Sequence, residues 1–146
     1  MRQGGSFIPT LRYGHRTVSF KVPANLPLDE ITYRHADTVI APEESLRRIR
    51  TALDQPIGSP QLKQIAAEHQ AAVILIPDGS RLSPSPLLLK ALLEQLNAAG
   101  IADEAIDIVV ALGVHRKHTP EELRTLVSCE IYQRIRVHNH SCLPED

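Results

Sequence analysis

Ala71-Ala72-Val73-Ile74-Leu75-Ile76-Pro77-Asp78-Gly79-Ser80-Arg81 is the stretch on which the fold turns. Residues 71–77 form a short, unbroken apolar run, as in a strand buried on both faces of a sheet. A polar loop, 78–81, follows at once. Beyond it the spacing predicts a helix from about Pro84 or Pro86, with Leu88, Leu92 and Leu96 in one core stripe and Gly100 as its stop. Ile106-Asp107-Ile108-Val109-Val110-Ala111-Leu112 predicts a second buried strand that ends at Gly113. Thr119-Pro120-Glu121-Glu122 is a capping box that opens another helix, with Thr119 as N-cap and Glu122 reaching back. Arg134-Ile135-Arg136-Val137-His138 predicts a third strand.

Strand, helix, strand, helix, strand implies an α/β domain: a mainly parallel, Rossmann-like sheet with flanking helices. Upstream, Thr17-Val18-Ser19-Phe20-Lys21-Val22-Pro23 alternates like a half-buried strand after a turn at Tyr13-Gly14. The residues from Pro23 to Pro42 read as a connecting segment. Pro42 opens a helix with Leu46, Ile49 and Leu53 on one face. Ser59-Pro60 predicts a further helix as N-cap and first-turn proline, with Leu62, Ile65 and Ala66 facing inward. His140-Ser141-Cys142-Leu143-Pro144-Glu145-Asp146 follows the third strand without a closing helix, so the 146 residues read as a domain cut short.

Bulk properties narrow the function. With 16 basic and 17 acidic residues there is no basic excess to draw a nucleic acid or an anionic membrane. Aromatic residues make up 3% of the chain, too few for base-stacking platforms. The longest apolar runs, 71–77 and 108–114, fall far short of the roughly 20 residues that span a bilayer. The residues after Met1 contain no apolar signal core. Cys129 and Cys142 have neither metal nor disulfide spacing, which places the chain in a reducing cytoplasm.

Ligands of open parallel sheets bind beyond the carboxyl ends of the strands. Two polar loops lie at such ends, Asp78-Gly79-Ser80-Arg81 and Gly113-Val114-His115-Arg116-Lys117-His118. Each leads into a helix N-terminus, a source of unpaired N–H groups and of the positive end of a dipole. Arg81 is suited to clamp a carboxylate or phosphate with two hydrogen bonds. Asp78 could orient Arg81 or accept a bond from a ligand hydroxyl. His115 is the residue type that moves protons near neutral pH. Structural alternatives exist for each: a solvated turn for Asp78 and Arg81, a hydrogen-bonded loop histidine for His115. His115, His118, His138 and His140 could be imagined as a four-histidine metal site, but no cysteine or carboxylate spacing supports one. Cys129 reads as a small core residue at the end of its helix.

These same residues carry a resemblance. Ile74-Leu75-Ile76-Pro77-Asp78-Gly79-Ser80-Arg81 resembles the strand and Asp-His-Thr-Arg motif of the lactate racemase family, whose enzymes use a nickel-pincer nucleotide. Residues 109–123, from Val109 through Gly113, His115 and Arg116 to Thr119, Glu121, Glu122 and Leu123, are similar to that family's Gly-x-His-Arg-x-x-Thr-x-Glu-Glu-Leu segment. Leu11-Arg12-Tyr13-Gly14, Asp54-Gln55-Pro56-Ile57-Gly58-Ser59 and Arg136-Val137-His138-Asn139-His140 match more weakly, in the same order. Nearly the whole chain is covered.

The resemblance implies a two-domain enzyme, of which residues 1–146 are an incomplete N-terminal domain, with the site between domains. It implies a 2-hydroxyacid racemase or epimerase in which a pyridinium-derived nucleotide takes a hydride from the hydroxyl-bearing carbon and returns it to the other face. His115 matches the first of two histidines that remove and return the hydroxyl proton. Arg81 matches an arginine beside cofactor and substrate carboxylate, and Asp78 its neighbouring aspartate. Asp78, Ser80 and Arg81 are the expected cofactor contacts. The tethering lysine, the nickel-ligating histidine and the second catalytic histidine would belong to the rest of the enzyme chain, so this segment alone should bind no nickel and turn nothing over. Two departures stand out: Gly79 replaces the family's usual histidine, which predicts a more open pocket wall, and Ser80 replaces its threonine. The rival reading is a free-standing remnant domain that binds a small anion or a partner protein. A plain nucleotide-binding module ranks lower, because no Gly-x-Gly-x-x-Gly follows either buried strand.

Overall fold

The computed structural model describes residues 6–29, 31 and 39–142. Part of the expected connecting segment (residue 30 and residues 32–38), the first five residues and the tail 143–146 lie outside the described residues. The chain divides into two units, Met1–Thr38 and Val39–Asp146.

The first unit is a pair of antiparallel ribbons. β1 (Ser6–Phe7) pairs with β4 (Val22–Pro23), and β2 (Thr10–Tyr13) pairs with β3 (Arg16–Ser19), in register from Thr10 opposite Ser19 to Tyr13 opposite Arg16. Gly14, at φ +59°, turns the inner hairpin, a backbone conformation in which an L side chain is strained. Every residue of β2 and β3 is exposed, so the alternation in 17–23 does not mark a half-buried strand.

The second unit holds the core. α1 (Pro42–Asp54) begins and ends near where the sequence places it, and its Arg50 reaches Glu94, on a later helix, through two hydrogen bonds of 2.7 and 2.8 Å. α2 (Leu62–Ala66) starts later than Ser59-Pro60 predicts, because Gln61 is its N-cap and closes a capping box with Gln64. Ala66 faces the core, whereas Ile65 is exposed. β5 (Ala72–Pro77), α3 (Ser85–Ala98), β6 (Ile106–Ala111), α4 (Pro120–Val127), α5 (Cys129–Arg134) and β7 (Arg136–Asn139) follow, with a short 3-10 turn at Asp103–Ala105 before β6. The strands form one parallel sheet in the order β5-β6-β7, with Ile74 opposite Ile108 and Ile108 opposite Val137.

Both crossovers step the sheet in the same direction, and right-handed crossovers of that kind place their helices on one side. Burial agrees. Ile76, Ile106, Ile108 and Val110 join Leu89, Leu93, Leu96, Leu123, Val127 and Ile131 in a single cluster. The other face is bare: Val73 and Leu75 are 63% and 70% exposed. This corrects the expectation of a strand buried on both faces. Of the expected leucine stripe, Leu96 is in the core and Leu92 is half-buried, but the deepest positions are shifted by one residue from Leu88 and Leu92. Leu89 and Leu93 are buried to 0–1% exposure, while Leu88 reaches 37%. Each buried leucine contributes roughly 1.5–3 kcal/mol of burial free energy. The helix predicted from Thr119 breaks at Ser128, whose φ of +83° ends α4 and whose hydroxyl accepts from the Ile131 N–H to cap α5. Cys129 therefore opens a helix and is exposed, not a core residue at a helix end.

Candidate active site

The loops that leave β5 and β6 meet beyond the carboxyl edge of the sheet. Arg81 donates its backbone N–H to the Asp78 carbonyl (3.1 Å), and His115 donates its own to Leu112 (3.0 Å), so each loop opens with a tight turn. Gly113, at φ +58°, makes the second turn possible. A cleft of about 1010 Å³ lies between the loops, lined by Asp78, Ser80, Arg81, His115, Glu121 and neighbouring residues.

Asp78 is the buried anchor of this cleft, 6% exposed. Its Oδ1 accepts from the Ser80 hydroxyl at 2.7 Å, and its Oδ2 lies 2.5 Å from His115 Nδ1. The bond from Ser80 first, and that from His115 second, hold the carboxyl down at about 2. An ionised carboxylate only accepts, so Nδ1 carries the proton. The His115 side chain is 55% exposed. With Nδ1 committed to Asp78, Nε2 is the nitrogen left to exchange a proton with a ligand. Asp78 thus orients His115, not Arg81, and has both oxygens engaged.

Arg81 lines the same cleft, and its guanidinium has no carboxylate partner among the described residues. Arg116 differs, spending two bonds of 2.6 and 2.8 Å on Glu122. Glu121 pairs with Arg124. The helix N-termini are unequal as well. At α4, Thr119 Oγ1 takes the Glu122 N–H and Glu122 takes the Thr119 N–H, so that end is already capped by its own side chains. No side chain caps α3, whose first turn reaches the cleft through Pro86.

Sequence reasoning missed the role of His118. Its Nε2 accepts from the Gly79 N–H at 3.0 Å. Its backbone is gripped in turn by Asn139 at the end of β7, which accepts from the His118 N–H and donates to its carbonyl, both at 3.0 Å. A Cβ on Gly79 would sit 3.1 Å from His118 Nε2. The glycine therefore does not open the pocket wall, because an imidazole fills that side. His118 Nδ1 is buried without a hydrogen-bond partner among the described residues, a situation that costs about 1–3 kcal/mol. No pattern in the sequence signals a contact 39 positions apart. His138, the third member of the imagined metal set, bonds Asp107 on the bare face at 2.8 Å. No group of three or more His, Cys, Asp or Glu side chains able to hold a metal occurs among the described residues.

Polar side chains gathered past the strand ends of a parallel sheet place the chain among α/β domains that bind ligands at that edge. Comparison with known proteins then names the family. Residues 13–146 match the lactate racemase N-terminal domain, and the chain belongs to that family. A curated lactate racemase from Lactiplantibacillus plantarum is 39% identical over 75 residues, which cover 51% of this chain and 18% of that enzyme. The structure of the lactate racemase apoprotein from Thermoanaerobacterium thermosaccharolyticum superposes with a TM-score of 0.69 at 22% identity, over 95% of this chain and 31% of that one. At that identity the likeness speaks for the fold. The chain thus spans less than a third of the structure and less than a fifth of the curated relative that it matches. No helix among the described residues is long and apolar enough to cross a membrane.

Proposed function

We propose that this chain is the N-terminal part of a 2-hydroxyacid racemase or epimerase, and that its cleft binds the substrate and removes its hydroxyl proton. The observation that carries the reading is the pairing of buried Asp78 with exposed His115 in the same cleft as Arg81, which has no carboxylate partner among the described residues. Arg81 would hold the substrate carboxylate with two parallel N–H···O bonds. His115 Nε2 would accept the hydroxyl proton as the carbon centre is oxidised, and give it back when the centre is reduced. Asp78 fixes the tautomer that leaves Nε2 free and stabilises the imidazolium that forms.

The family resemblance adds a nickel-pincer nucleotide, which when bound supplies the hydride acceptor and donor. The residues here fit only part of such a group. Arg81, with N–H groups beyond the two facing the carboxylate, suits its anionic portion; the single hydroxyl proton of Ser80 is already given to Asp78, which can only accept. The resemblance assigns the nickel-ligating histidine, the tethering lysine and the second catalytic histidine to the rest of the enzyme chain, and we place them there. In this reading residues 1–146 are one part of a two-domain enzyme acting in the cytoplasm.

The test uses the full-length protein made with its cofactor-assembly partners. Nickel content is measured, and interconversion of the two enantiomers is followed by chiral chromatography for lactate-like, malate-like and sugar acids, in wild type and His115→Ala. A 2-deuterated substrate adds a second readout: retention of the label in the inverted product is the mark of hydride return. Racemisation with label retained, lost in His115→Ala, is the expected result. Absence of nickel and of racemisation in the full-length protein would overturn the reading and leave a small-anion site.

A further inference from the structure

The two histidines of the β6–α4 loop grip consecutive residues of the β5–α3 loop. His115 holds the Asp78 carboxylate, and His118 holds the Gly79 N–H. We infer that His118 is a positioning residue for the Asp78–His115 pair, and that position 79 is glycine because a side chain there would displace it. The inference rests on reading Asp78 and His115 as the working pair.

Three observations carry it. Gly79 has no positive φ, unlike Gly14, Gly58, Gly100 and Gly113, so its backbone conformation does not require glycine. The Nε2 and Cδ2 atoms of His118, at 3.1 and 3.8 Å, are what a Cβ there would meet within 4 Å. The tightness at position 79 therefore traces to one imidazole, which would have to give by a few tenths of an ångström to admit a Cβ. Second, the ring is held from behind. Asn139 takes both backbone hydrogen-bonding groups of His118, which ties the loop to the end of β7. Third, the ring accepts a backbone N–H at Nε2, while its buried Nδ1 has no hydrogen-bond partner among the described residues.

The geometry forms a chain from β7 to the cleft: Asn139, His118, Gly79, Asp78, His115. Each link fixes the next. Without the bond to His118, the peptide between Pro77 and Ser80 can rotate, and the Asp78 carboxylate loses its line to His115 Nδ1.

The readout is the His115 Nδ1 proton itself, seen by NMR in full-length protein selectively labelled at histidine. In wild type it should be a downfield, slowly exchanging signal. His118→Ala should speed its exchange at least tenfold, and Gly79→Ala should do the same. In the double variant the second change should add nothing, because the clash has lost its partner. His118→Gln, whose amide oxygen can accept from the Gly79 N–H, should restore the slow signal. Thermal midpoints measured alongside separate loss of fold from loss of position. An unchanged His115 proton in both single variants, or fully additive effects in the double, would overturn the inference. None of these signals depends on turnover, so failure of the racemase reading and failure of this inference are seen separately.

Discussion

Two aspartate–histidine pairs sit on the same sheet, and they are built for different ends. Asp78 meets His115 beyond the carboxyl end of β5, and Asp107 meets His138 on the bare face near the start of β6. In the first pair the aspartate side chain is 7% exposed, and its other bond comes from a neutral hydroxyl. In the second it is 28% exposed, and Arg136 donates to both its oxygens at 2.9 Å. The carboxyl of Asp107 is also held below its ordinary value, by His138 first and Arg136 second. A lowered carboxyl and a histidine contact are thus common to both. What separates them is the competing cation. Arg136 takes both oxygens of Asp107, and His138 shares one of them. Asp78 has no such partner, and its charge is available to His115.

The comparison can be broken most easily at the histidines. His115→Ala should cut racemisation in the full-length enzyme by about 10²–10⁴-fold, while His138→Ala should leave the rate as it is. Equal losses in initial-rate assays would show that the two pairs share a role. Asp78→Asn comes next, with a loss of about 10²-fold in kcat, because an amide can stabilise the wrong tautomer of His115. Asp107→Asn should change kcat little. At the cations, Arg81→Ala should raise KM for the hydroxy acid about 10- to 100-fold, the equivalent of a charged hydrogen bond of about 1.5–3 kcal/mol. Arg116→Ala, which removes a guanidinium already spent on Glu122, should barely move it. The smallest effect is on stability. The folded value of Asp78 lies below its ordinary one, so its contribution is whole above about pH 4 and is lost as pH falls toward 2. Melting curves between pH 5 and 2.5 should flatten in Asp78→Asn. At neutral pH, Asp107→Asn should move the denaturant midpoint only slightly, as loss of an exposed ion pair does.

The order of strands and helices in the second unit could be read from the sequence because each element announces itself locally. Thr119 and Glu122 form the capping box that their spacing predicts, and Gly100, at φ +96°, stops α3. Both polar loops fall at one edge because parallel strands leave them no other place. What could not be read depended on neighbours distant in sequence. An apolar run has the same appearance whether one face is covered or two, so the exposure of Val73 and Leu75 was hidden. Helix α3 is leucine-rich on more than one side, which let a neighbouring stripe pass for the core. β2 and β3 have no buried face, so alternation there carried no information on burial. From sequence the partner of Asp78 was Arg81, three residues away, or a ligand hydroxyl; His115, 37 residues away, meets it only because β5 packs against β6. His118 was beyond reach for the same reason.

The bare face of β5 has a consequence for the newly made chain. An edge strand with exposed branched side chains is a template on which another strand can add, the usual first step of aggregation. β5 ends at Pro77, which has no N–H to offer a visiting strand, and the next residue is the charged Asp78. A proline and a charge at the end of an unavoidable apolar strand are the pattern of a gatekeeper. The residue that bonds His115 in the folded protein is thus also the charge that closes β5.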